Sequence, residues 1–558
     1  MTSAPAPSFI TAISVLDTLI RSGMRHVLIC PGSRSAPLAY AVGALADAGV
    51  LEAHVRIDER SAAFTALGLA KATGQPVGLI TTSGTAVGEC LPALMEAYHS
   101  GLPLALLSAD RPAHLQGTGA NQTTRQAGLA PAHTRASLTL ENYSADPADP
   151  QSGDLNRALA SLTGRSESNW NLPADQPRGP VQINLAFDTP LTPGPTEQEM
   201  LRRWAHSLVP LAQQGVRLLP ENPDLSAQSW PRSAQLPEYS YPTVVIAGDG
   251  AGPLAQIFAQ KLGLPLLAEP SSQARFSPVA VPAYRQLLAG ELAGSIERAV
   301  IFGHPTLSRP VAALMANSGL ERALYAPVPA PWHEPGALDL HLVPTLQGLA
   351  EFAGQAPAGW LEGWLEKGKI QEEELHQRVA AYRAGTYRGD LSDSADRTAA
   401  LSTALDTWEK CLSDDAVLVL GSSNLIRDLD LIAPSAASSP LVFAQRGLAG
   451  IDGTLAVAAG ISLGLGRKVR VLLGDLTFLH DVGSLNIGPL ERKPDVEVLV
   501  YDDRGGGIFS TLEHGTLAAD SRYTATVQRF FTTPHTANLQ ALAGAWGDNG
   551  FSLRVVTP

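Results

Sequence analysis

The stretch RIDERSAAFTALGLAKATGQPVGLITTSGTA, residues 56–86, carries the pattern that decides the fold of this chain. It places a carboxylate, Glu59, at the start of a long run of small and apolar residues, and a β-branched run, VGLIT, follows. A helix that leads into a buried strand in this way is typical of a βαβ unit with parallel strands. Two interpretations of Glu59 are open. It can stabilise the first turn of the helix through the macrodipole, or it can be a functional carboxylate.

The same alternation of strand and helix patterns extends along the chain. Short apolar runs (HVLIC, VGLIT, LPLALLSAD) alternate with helical stretches from Met24 to about Asp110, and the rhythm resumes at VVIAGDGAG and again at AVLVLGSSN. Polar, Pro-rich stretches at LTPGPTEQ and at residues 219–243, and a charged helical connector at 364–383, separate these regions. We therefore predict an α/β protein with three doubly wound parallel-sheet domains, over residues 1–190, 191–355 and 356–558.

Composition disfavours several classes of function. The 558-residue chain has a net charge of −13 and no Lys/Arg block, which disfavours nucleic acid or an anionic membrane as partner. Cys30, Cys90 and Cys411 lie far apart without CxxC spacing, so neither a disulfide framework nor a zinc site is expected. The N-terminus lacks the basic region of a signal peptide, and no apolar run reaches the roughly 18 residues of a membrane span. These features predict a cytoplasmic protein with no membrane span.

Polar and glycine-rich segments follow the predicted strands of the first and third domains. Ligands of open α/β sheets bind at the carboxyl ends of strands, and small residues there let backbone N–H groups approach a phosphate closely. The segments are CPGSRS, IDER, TTSGTA and SADRP in the first domain, and GSSN, QRGLAGIDG, GDLT and DDRGGGIF in the third.

Two of these segments carry carboxylates. Asp475 ends VRVLLGD and Asp503 ends VEVLVYDD, 28 residues later, and each lies close to glycine. Oxygen ligands from two strand ends, completed by water and a phosphorylated ligand, would suit Mg²⁺. The alternative is that both acids only begin turns or cap helices after strands.

Together these motifs resemble those of thiamine diphosphate (ThDP) enzymes, over nearly the whole chain. Gly474 and Asp475 match the opening of that family's metal motif, and Glu59 matches the glutamate that contacts the cofactor's aminopyrimidine. More narrowly, PGSRSAPL, IDER, TSGTA, ADRP, GANQ and RGLAGIDG are similar to the menaquinone-pathway branch of the family. That branch is a group of transferases that decarboxylate 2-oxoglutarate and add the resulting succinyl unit to isochorismate in a 1,4 fashion.

The resemblance implies a pyrimidine-binding first domain, a central domain and a diphosphate-binding third domain. It also implies ThDP with Mg²⁺ (or Mn²⁺) as cofactors, and a homodimer or dimer of dimers whose active sites lie between subunits. Glu59 would favour the imino tautomer of the aminopyrimidine from across that interface, and Ile451 would hold the cofactor in its bent shape. The implied cofactor-binding residues are Glu59, Ser422, Ile451, Gly474, Asp475, Asp503 and Gly505, of which Asp475, Asp503 and Gly505 would hold the metal.

Both implied substrates are polyanions, so the resemblance also implies a set of arginines. For each arginine the alternative is a solvated surface charge, and for Ile508 and Phe509, which would form an apolar wall, it is ordinary core packing. Ser423 and Arg427 would bind the distal carboxylate of 2-oxoglutarate, and Arg446 would line the same pocket. The residues expected to face isochorismate are Ser33, Arg34, Arg111, Asn121, Gln122 and Arg309. With Glu59, the expected catalytic set is Arg34, Arg111, Gln122, Arg309, Ser423, Arg427 and Arg446.

Three features depart from the family pattern. Asp503 stands where the family usually has Asn, and Asp502 competes with it for the metal. Ser308 precedes Arg309 where a second basic residue is expected, which predicts a weaker grip on the ring carboxylates. The chain ends at FSLRVVTP as another βα unit begins, so we expect a shortened third domain with an uncovered sheet edge.

Some alternatives remain open from sequence. The Gly248–Gly250 segment reads Gly-Asp-Gly and could be a dinucleotide-binding turn or a rival metal motif, but we interpret it as a tight turn. The 13 histidines show no metal-ligand spacing, so we expect them to be structural or surface residues. The chain could also be an acetolactate-synthase-like ligase or decarboxylase that holds FAD in its middle domain, or a non-catalytic subunit with the ThDP-enzyme fold.

Overall fold

The computed structural model describes residues 4–165, 176–213, 239–390, 396–434 and 438–558. It contains three parallel β-sheets with flanking helices, so the predicted fold class is confirmed. Most of the polar stretch at 219–243, a predicted domain boundary, lies outside the described residues. None of the helices in the described ranges is both long and apolar enough to cross a membrane.

The first sheet has six strands. They are β1 (His26–Ile29), β2 (Glu52–Val55), β3 (Val77–Thr81), β4 (Leu104–Asp110), β5 (Ala136–Glu141) and β6 (Val181–Ala186), in the spatial order β2-β1-β3-β4-β6-β5. The helices around it are α1 (Pro7–Arg21), α2 (Ala36–Asp47), α3 (Glu59–Thr73), α4 (Thr85–Glu89), α5 (Leu91–Ser100), α6 (Pro150–Thr163), α7 (Pro195–Ser207) and α8 (Val209–Ala212).

The second sheet has five strands. They are β7 (Thr243–Ala247), β8 (Leu266–Ala268), β9 (Arg298–Phe302), β10 (Glu321–Tyr325) and β11 (His341–Val343), in the order β11-β10-β9-β7-β8. Its helices are α9 (Pro253–Leu262), α10 (Tyr284–Leu288), α11 (Arg309–Ala316) and α12 (Leu346–Ala353), and α13 (Trp360–Arg383) leads to the third domain. The Gly248–Gly250 segment is a turn directly after β7, and its Asp249 carboxylate pairs with Lys71 at 2.9 Å.

The third sheet also has five strands. They are β12 (Val417–Leu420), β13 (Val442–Ala444), β14 (Val469–Gly474), β15 (Val496–Tyr501) and β16 (Phe551–Val556), in the order β13-β12-β14-β15-β16. Its helices are α14 (Thr398–Ser413), α15 (Asn424–Ile432), α16 (Thr454–Leu465), α17 (Asp475–Asp481), α18 (Glu513–Ala518), α19 (Ser521–Val527) and α20 (Leu539–Gly544).

The residues at its two ends determine where helix α3, which begins at Glu59, starts and stops. The Asp58 side chain caps its N-terminus by accepting hydrogen bonds from the backbone N–H groups of Arg60 and Ser61. Gly74 ends the helix with a φ of 69°, a left-handed conformation that glycine adopts without strain. The position of the Glu59 carboxyl is therefore set by a capped helix start.

Helices α3 and α16 join the first and third domains at close range. A side chain at Gly68 would lie 2.2 Å from the carbonyl oxygen of Val457, and one at Gly460 would lie 2.1 Å from that of Thr65. Only glycine allows the two backbones to approach this closely. The buried apolar residues of both helices accordingly belong to one continuous core.

Candidate cofactor and substrate site

A cavity of about 180 Å³ lies at the carboxyl ends of β12, β14 and β15. Every described residue that lines it belongs to the third domain. The strand-end loops contribute most of the lining, as sequence analysis predicted for a ligand site in an open α/β sheet. The lining residues are Arg397, Ser423, Asn424, Leu425, Ile451, Gly474, Asp475, Leu476, Thr477, Tyr501, Asp503, Gly505, Gly506, Gly507, Ile508 and Phe509.

Asp475 is the most enclosed acid of this cavity, with 2% of its surface exposed. Its Oδ1 accepts a hydrogen bond from the backbone N–H of Leu476 at 2.7 Å, and its Oδ2 accepts one from Gly505 at 2.7 Å. The imidazole Nε2 of His535 lies 2.8 Å from the same Oδ2. Burial raises the pKa of Asp475, and these hydrogen bonds oppose the shift.

Asp503 faces the same cavity from the loop after β15. Burial, and next the negative charge of Asp475, raise its pKa to about 6. A side chain at Gly507 would lie 2.1 Å from the Asp503 carboxylate, so a larger residue there would displace the carboxylate. Two neighbouring carboxylates that are both costly to ionise suit a divalent cation, which would neutralise both.

Asp502, the rival metal ligand in the sequence, does not line the cavity. Its Oδ1 accepts a hydrogen bond from the backbone N–H of Arg504 at 3.1 Å, and its side chain is buried. The geometry thus favours Asp503 as the second acid of the pair.

Several residues of this site were not anticipated from sequence. His535 contacts Asp475, a contact that sequence analysis did not predict. Arg397 lines the cavity, pairs with Asp428 at 2.6 Å and lies 3.9 Å from Asp503. Tyr501, the last residue of β15, lines the cavity as well. None of these residues belongs to a motif that we recognised.

The loop between β12 and α15 places the two predicted serines, and Arg427 lies in the first turn of α15. Ser423 lines the cavity, whereas the hydroxyl of Ser422 donates to the carbonyl of Gln445 at 2.9 Å. Arg427 donates to the carbonyl of Ser423 at 2.7 Å. Burial, followed by the positive charges of Arg446 and Arg285, lowers the pKa of Arg427. The charges of Asp428 and Asp430 oppose this shift, so Arg427 lies among both positive and negative groups.

Arg446 is buried, with 1% of its surface exposed, and its Nε donates to the hydroxyl of Thr306 at 2.9 Å. Within the described ranges, neither terminal nitrogen of this guanidinium has a hydrogen-bond partner. Sequence analysis predicted that Arg446 lines the cavity of Asp475, but the structure does not place it there. It lines a second cavity of about 940 Å³, together with His304 and Trp332. Its side chain turns towards the middle domain because Thr306 offers it an acceptor there.

The residues expected to face isochorismate form a separate group at the strand ends of the first sheet. Arg111 donates to the Ser83 hydroxyl and to the carbonyl of Gln122, the latter at 3.1 Å. Arg34 donates to the carbonyl of Phe187 at 2.8 Å, and burial lowers its pKa, with the charge of Arg111 as the next cause. The remaining members, Ser33, Asn121 and Gln122, are exposed.

Arg309 lies apart from that group. It begins α11 and is exposed over 67% of its side chain, where it pairs with Glu513 of α18 at 3.0 Å. Ser308 before it serves as the N-cap of the helix, since its hydroxyl accepts from the backbone of Val311. This capping role explains a serine at the position where we expected a second basic residue.

Glu59 is half-buried and does not line the cavity that holds Asp475 and Asp503. Burial raises its pKa, and the charges of Asp58 and Glu89 add to the shift. Two large apolar side chains in this region are exposed: Ile57, two residues before Glu59, by 72%, and Leu490 by 96%. Leu490 adjoins Glu491, whose carboxylate accepts from the backbone of Val55 at 2.7 Å. Glu59 thus lies two residues from an exposed apolar side chain, that of Ile57.

Comparison with known proteins bears on both the fold and the family. A model of the thiamine pyrophosphate enzyme N-terminal TPP-binding domain matches residues 11–129. The solved structure of benzoylformate decarboxylase from Polynucleobacter necessarius aligns with a TM-score of 0.59, covering 99% of this chain and 98% of that one. At 16% identity, this likeness concerns the fold alone.

Two curated relatives are much closer in sequence, and both are named 2-succinyl-5-enolpyruvyl-6-hydroxy-3-cyclohexene-1-carboxylate synthase. The protein of Renibacterium salmoninarum is 46% identical over 96% of this chain and 88% of its own length. That of Paenarthrobacter aurescens is 46% identical over 98% of this chain and 90% of its own length. The resemblance drawn from the motifs is confirmed, and the chain belongs to the 2-succinyl-5-enolpyruvyl-6-hydroxy-3-cyclohexene-1-carboxylate synthase family of thiamine diphosphate enzymes.

Proposed function

We propose that this protein decarboxylates 2-oxoglutarate and adds the succinyl unit to isochorismate, the synthase reaction of menaquinone biosynthesis. Full-length relatives at 46% identity support this assignment. The observation that carries it is the convergence of Asp475, Asp503 and the Gly505–Gly507 loop on one cavity at the ends of β14 and β15. Bound ThDP would supply the carbanion chemistry by which a 2-oxo acid loses CO₂ and its remaining carbons reach an acceptor.

Asp475, Asp503 and the carbonyl of Gly505 would hold Mg²⁺ or Mn²⁺. Gly505 has a φ of 151°, and a side chain there would lie 2.4 Å from the carbonyl oxygen of Thr532, so this backbone position admits only glycine. The N-terminus of α15, with Asn424 and Leu425 on the cavity, offers backbone N–H groups to the diphosphate. Ile451 on the opposite loop would set the bend of the cofactor.

Glu59 would act from a second copy of the chain. It lies outside the cavity of its own chain, next to the exposed side chain of Ile57. The exposed side chain of Ile57 and the position of Glu59 outside its own cavity support a homodimer or dimer of dimers in which Glu59 meets the partner's cavity. There its carboxyl would share a proton with the aminopyrimidine ring in a hydrogen bond, which its raised pKa favours. Residues 1–190 would then bind the pyrimidine and residues 356–558 the diphosphate, with 191–355 between them.

Cationic residues would orient the two polyanionic substrates. Ser423 lines the cavity, whereas Arg427 does not line it and reaches its rim through a hydrogen bond to the carbonyl of Ser423. The two would bind the distal carboxylate of 2-oxoglutarate, and Ile508 and Phe509 would form the apolar wall of the cavity. The first-domain group around Arg34 and Arg111 would face isochorismate. The terminal nitrogens of Arg446 are buried and have no hydrogen-bond partner in the described part of the chain, which supports a further contact with an anion.

The direct test mixes the purified protein with ThDP, Mg²⁺, 2-oxoglutarate and isochorismate. We expect isochorismate absorbance to fall while CO₂ is released in equal amount. Decarboxylation without loss of isochorismate would indicate another ThDP-dependent 2-oxo acid enzyme instead. An absorbance band near 450 nm in the purified protein would favour the FAD-containing alternative, and no binding of ThDP at all would favour a non-catalytic subunit.

Replacing Arg427 by Gln should reduce kcat/KM for 2-oxoglutarate by about ten- to a hundredfold, because a charge-assisted hydrogen bond contributes roughly 1.5–3 kcal/mol. Steady-state kinetics at saturating isochorismate would measure this loss. Arg202→Gln serves as control, since Arg202 is an exposed arginine on α7 that pairs with Glu199 of its own helix. Equal kinetics in the two variants would remove Arg427 from the substrate site.

Metal binding should weaken in acid through Asp503. Because its pKa is raised to about 6, protonation begins well above the ordinary range of an aspartate, and a protonated carboxyl cannot bind the metal. Apparent Mg²⁺ affinity should therefore fall by up to about tenfold per pH unit below that pKa and level off above it. Asp503→Asn should give a flatter profile, measured by titration calorimetry with ThDP present. Identical slopes in both proteins would contradict this assignment.

A further inference from the structure

His535 lies in the loop between α19 and α20 and is held on both sides of its ring. Its Nδ1 accepts a hydrogen bond from the backbone N–H of Ala537 at 3.2 Å. A nitrogen that accepts carries no proton, so the neutral ring must carry its proton on Nε2. The Nε2–H group therefore donates to Oδ2 of Asp475, 2.8 Å away.

This contact completes a set of three donors around the Asp475 carboxylate. Oδ2 accepts from Gly505 and His535, which occupies both of its lone pairs. Among the residues that the structure describes, Oδ1 accepts only from Leu476. One lone pair of Oδ1 thus stays available for a cation. The three donors also fix the orientation of the carboxylate. A freely rotating Asp would lose conformational entropy when it binds a metal, and a fixed one loses less.

We propose that His535 is a positioning residue for the metal site, which orients Asp475 through its Nε2–H group and is not itself a metal ligand. The inference rests on the proposed metal-binding role of Asp475. Histidine–carboxylate contacts behind a metal ligand commonly set its orientation and affinity.

The same segment also contacts the glycine loop of the cavity. The carbonyl of Thr532, three residues before His535, accepts a hydrogen bond from the backbone N–H of Gly506 at 2.6 Å. Gly505 approaches that carbonyl too closely to carry a side chain. Residues 532–537 therefore contact both the Asp475 carboxylate and the Gly505–Gly507 loop of the proposed site. Within this segment, the side chain of His535 makes the contact with Asp475.

A different role is conceivable, since ligand atoms of Asp475, Asp502 and His535 all lie within 4.8 Å of one another and could form a three-ligand metal site. Two observations disfavour it. The proton on Nε2 leaves this nitrogen without a lone pair for a metal. Asp502, whose Oδ1 lies 3.7 Å from Nε2, does not line the cavity.

The test uses Mn²⁺ as the probe and compares three variants of the full-length protein in the presence of ThDP. His535→Gln places an amide N–H near the position of Nε2 and should keep the donor. His535→Asn reaches only as far as Nδ1 and loses it, as does His535→Ala. Free Mn²⁺ is measured by electron paramagnetic resonance, so that no turnover is required, and thermal unfolding confirms that each variant is folded.

We expect Mn²⁺ affinity to fall about 10- to 100-fold in the Asn and Ala variants, as for other outer contacts of metal ligands, and to stay close to wild type in the Gln variant. Wild-type affinity in all three variants would overturn the positioning role while leaving the proposed function intact. Nitrogen hyperfine coupling from an imidazole, present in wild type and lost in all variants, would identify His535 as a direct ligand and also overturn it. Failure of the wild-type protein to bind Mn²⁺ with ThDP would refute the proposed metal site, and this inference with it.

Discussion

Replacing Glu59 by Gln should reduce kcat by about 10²- to 10⁴-fold, the range that a positioned acid–base group contributes to catalysis. The carboxyl lies at the capped start of α3, and burial raises its pKa, which suits a group that shares a proton with a ring nitrogen. The amide of Gln keeps the size and can still hydrogen-bond, but it cannot exchange that proton. Binding of ThDP should change far less than turnover.

The measurement is single-substrate decarboxylation and full synthase turnover, with ThDP affinity followed by titration calorimetry. Glu89→Gln is a matched control, because Glu89 is an exposed acid whose charge also raises the pKa of Glu59. We expect this control to keep most of the activity. A Glu59→Gln protein with wild-type turnover would remove Glu59 from the mechanism.

Replacing Asp475 by Ala should abolish metal-dependent binding of ThDP. The loss should exceed the roughly 10- to 100-fold that changes behind a metal ligand cause, because a direct ligand is removed. The substitution also leaves the N–H of Gly505 and the ring of His535 without their shared acceptor. ThDP affinity at increasing Mg²⁺ concentration measures the effect, and the wild-type dependence on Mg²⁺ should disappear.

Asp502→Asn is the control for this experiment, since Asp502 is a buried acid one residue from Asp503 that does not line the cavity. The Asn oxygen can still accept from the backbone of Arg504. We expect Mg²⁺-dependent ThDP binding close to wild type. If the effects of the two substitutions were reversed, Asp502 and not Asp475 would be the essential ligand.

The sequence predicted those features that depend on local pattern. Alternating strand and helix signals correctly predicted three parallel α/β sheets, because each buried strand and each helix start is encoded within a few residues. Asp475 and Asp503 could be placed on one sheet edge for the same reason, since both directly follow strands of a parallel sheet. The family motifs, each a short loop after a strand, led to the family that the full-length relatives confirm.

Features that depend on tertiary contacts were missed. His535 lies 60 residues from Asp475 along the chain, in a loop without a motif, so only the fold brings the two together. The direction of the Arg446 side chain depends on Thr306 of the middle domain, 140 residues away. Arg309 is a further example, because its pairing with Glu513 depends on how α11 and α18 meet.

The separation of Glu59 from the cavity of its own chain leads to the central claim, that one active site is built from two subunits. The most direct test mixes the Glu59→Gln and Asp475→Ala proteins, after reversible dissociation, in equal amounts. If the site is shared, a hybrid dimer has one site with both defects and one intact site, so the mixture should recover up to about a quarter of wild-type activity. A mixture that is no more active than either variant alone, despite proven hybrid formation, would contradict the claim.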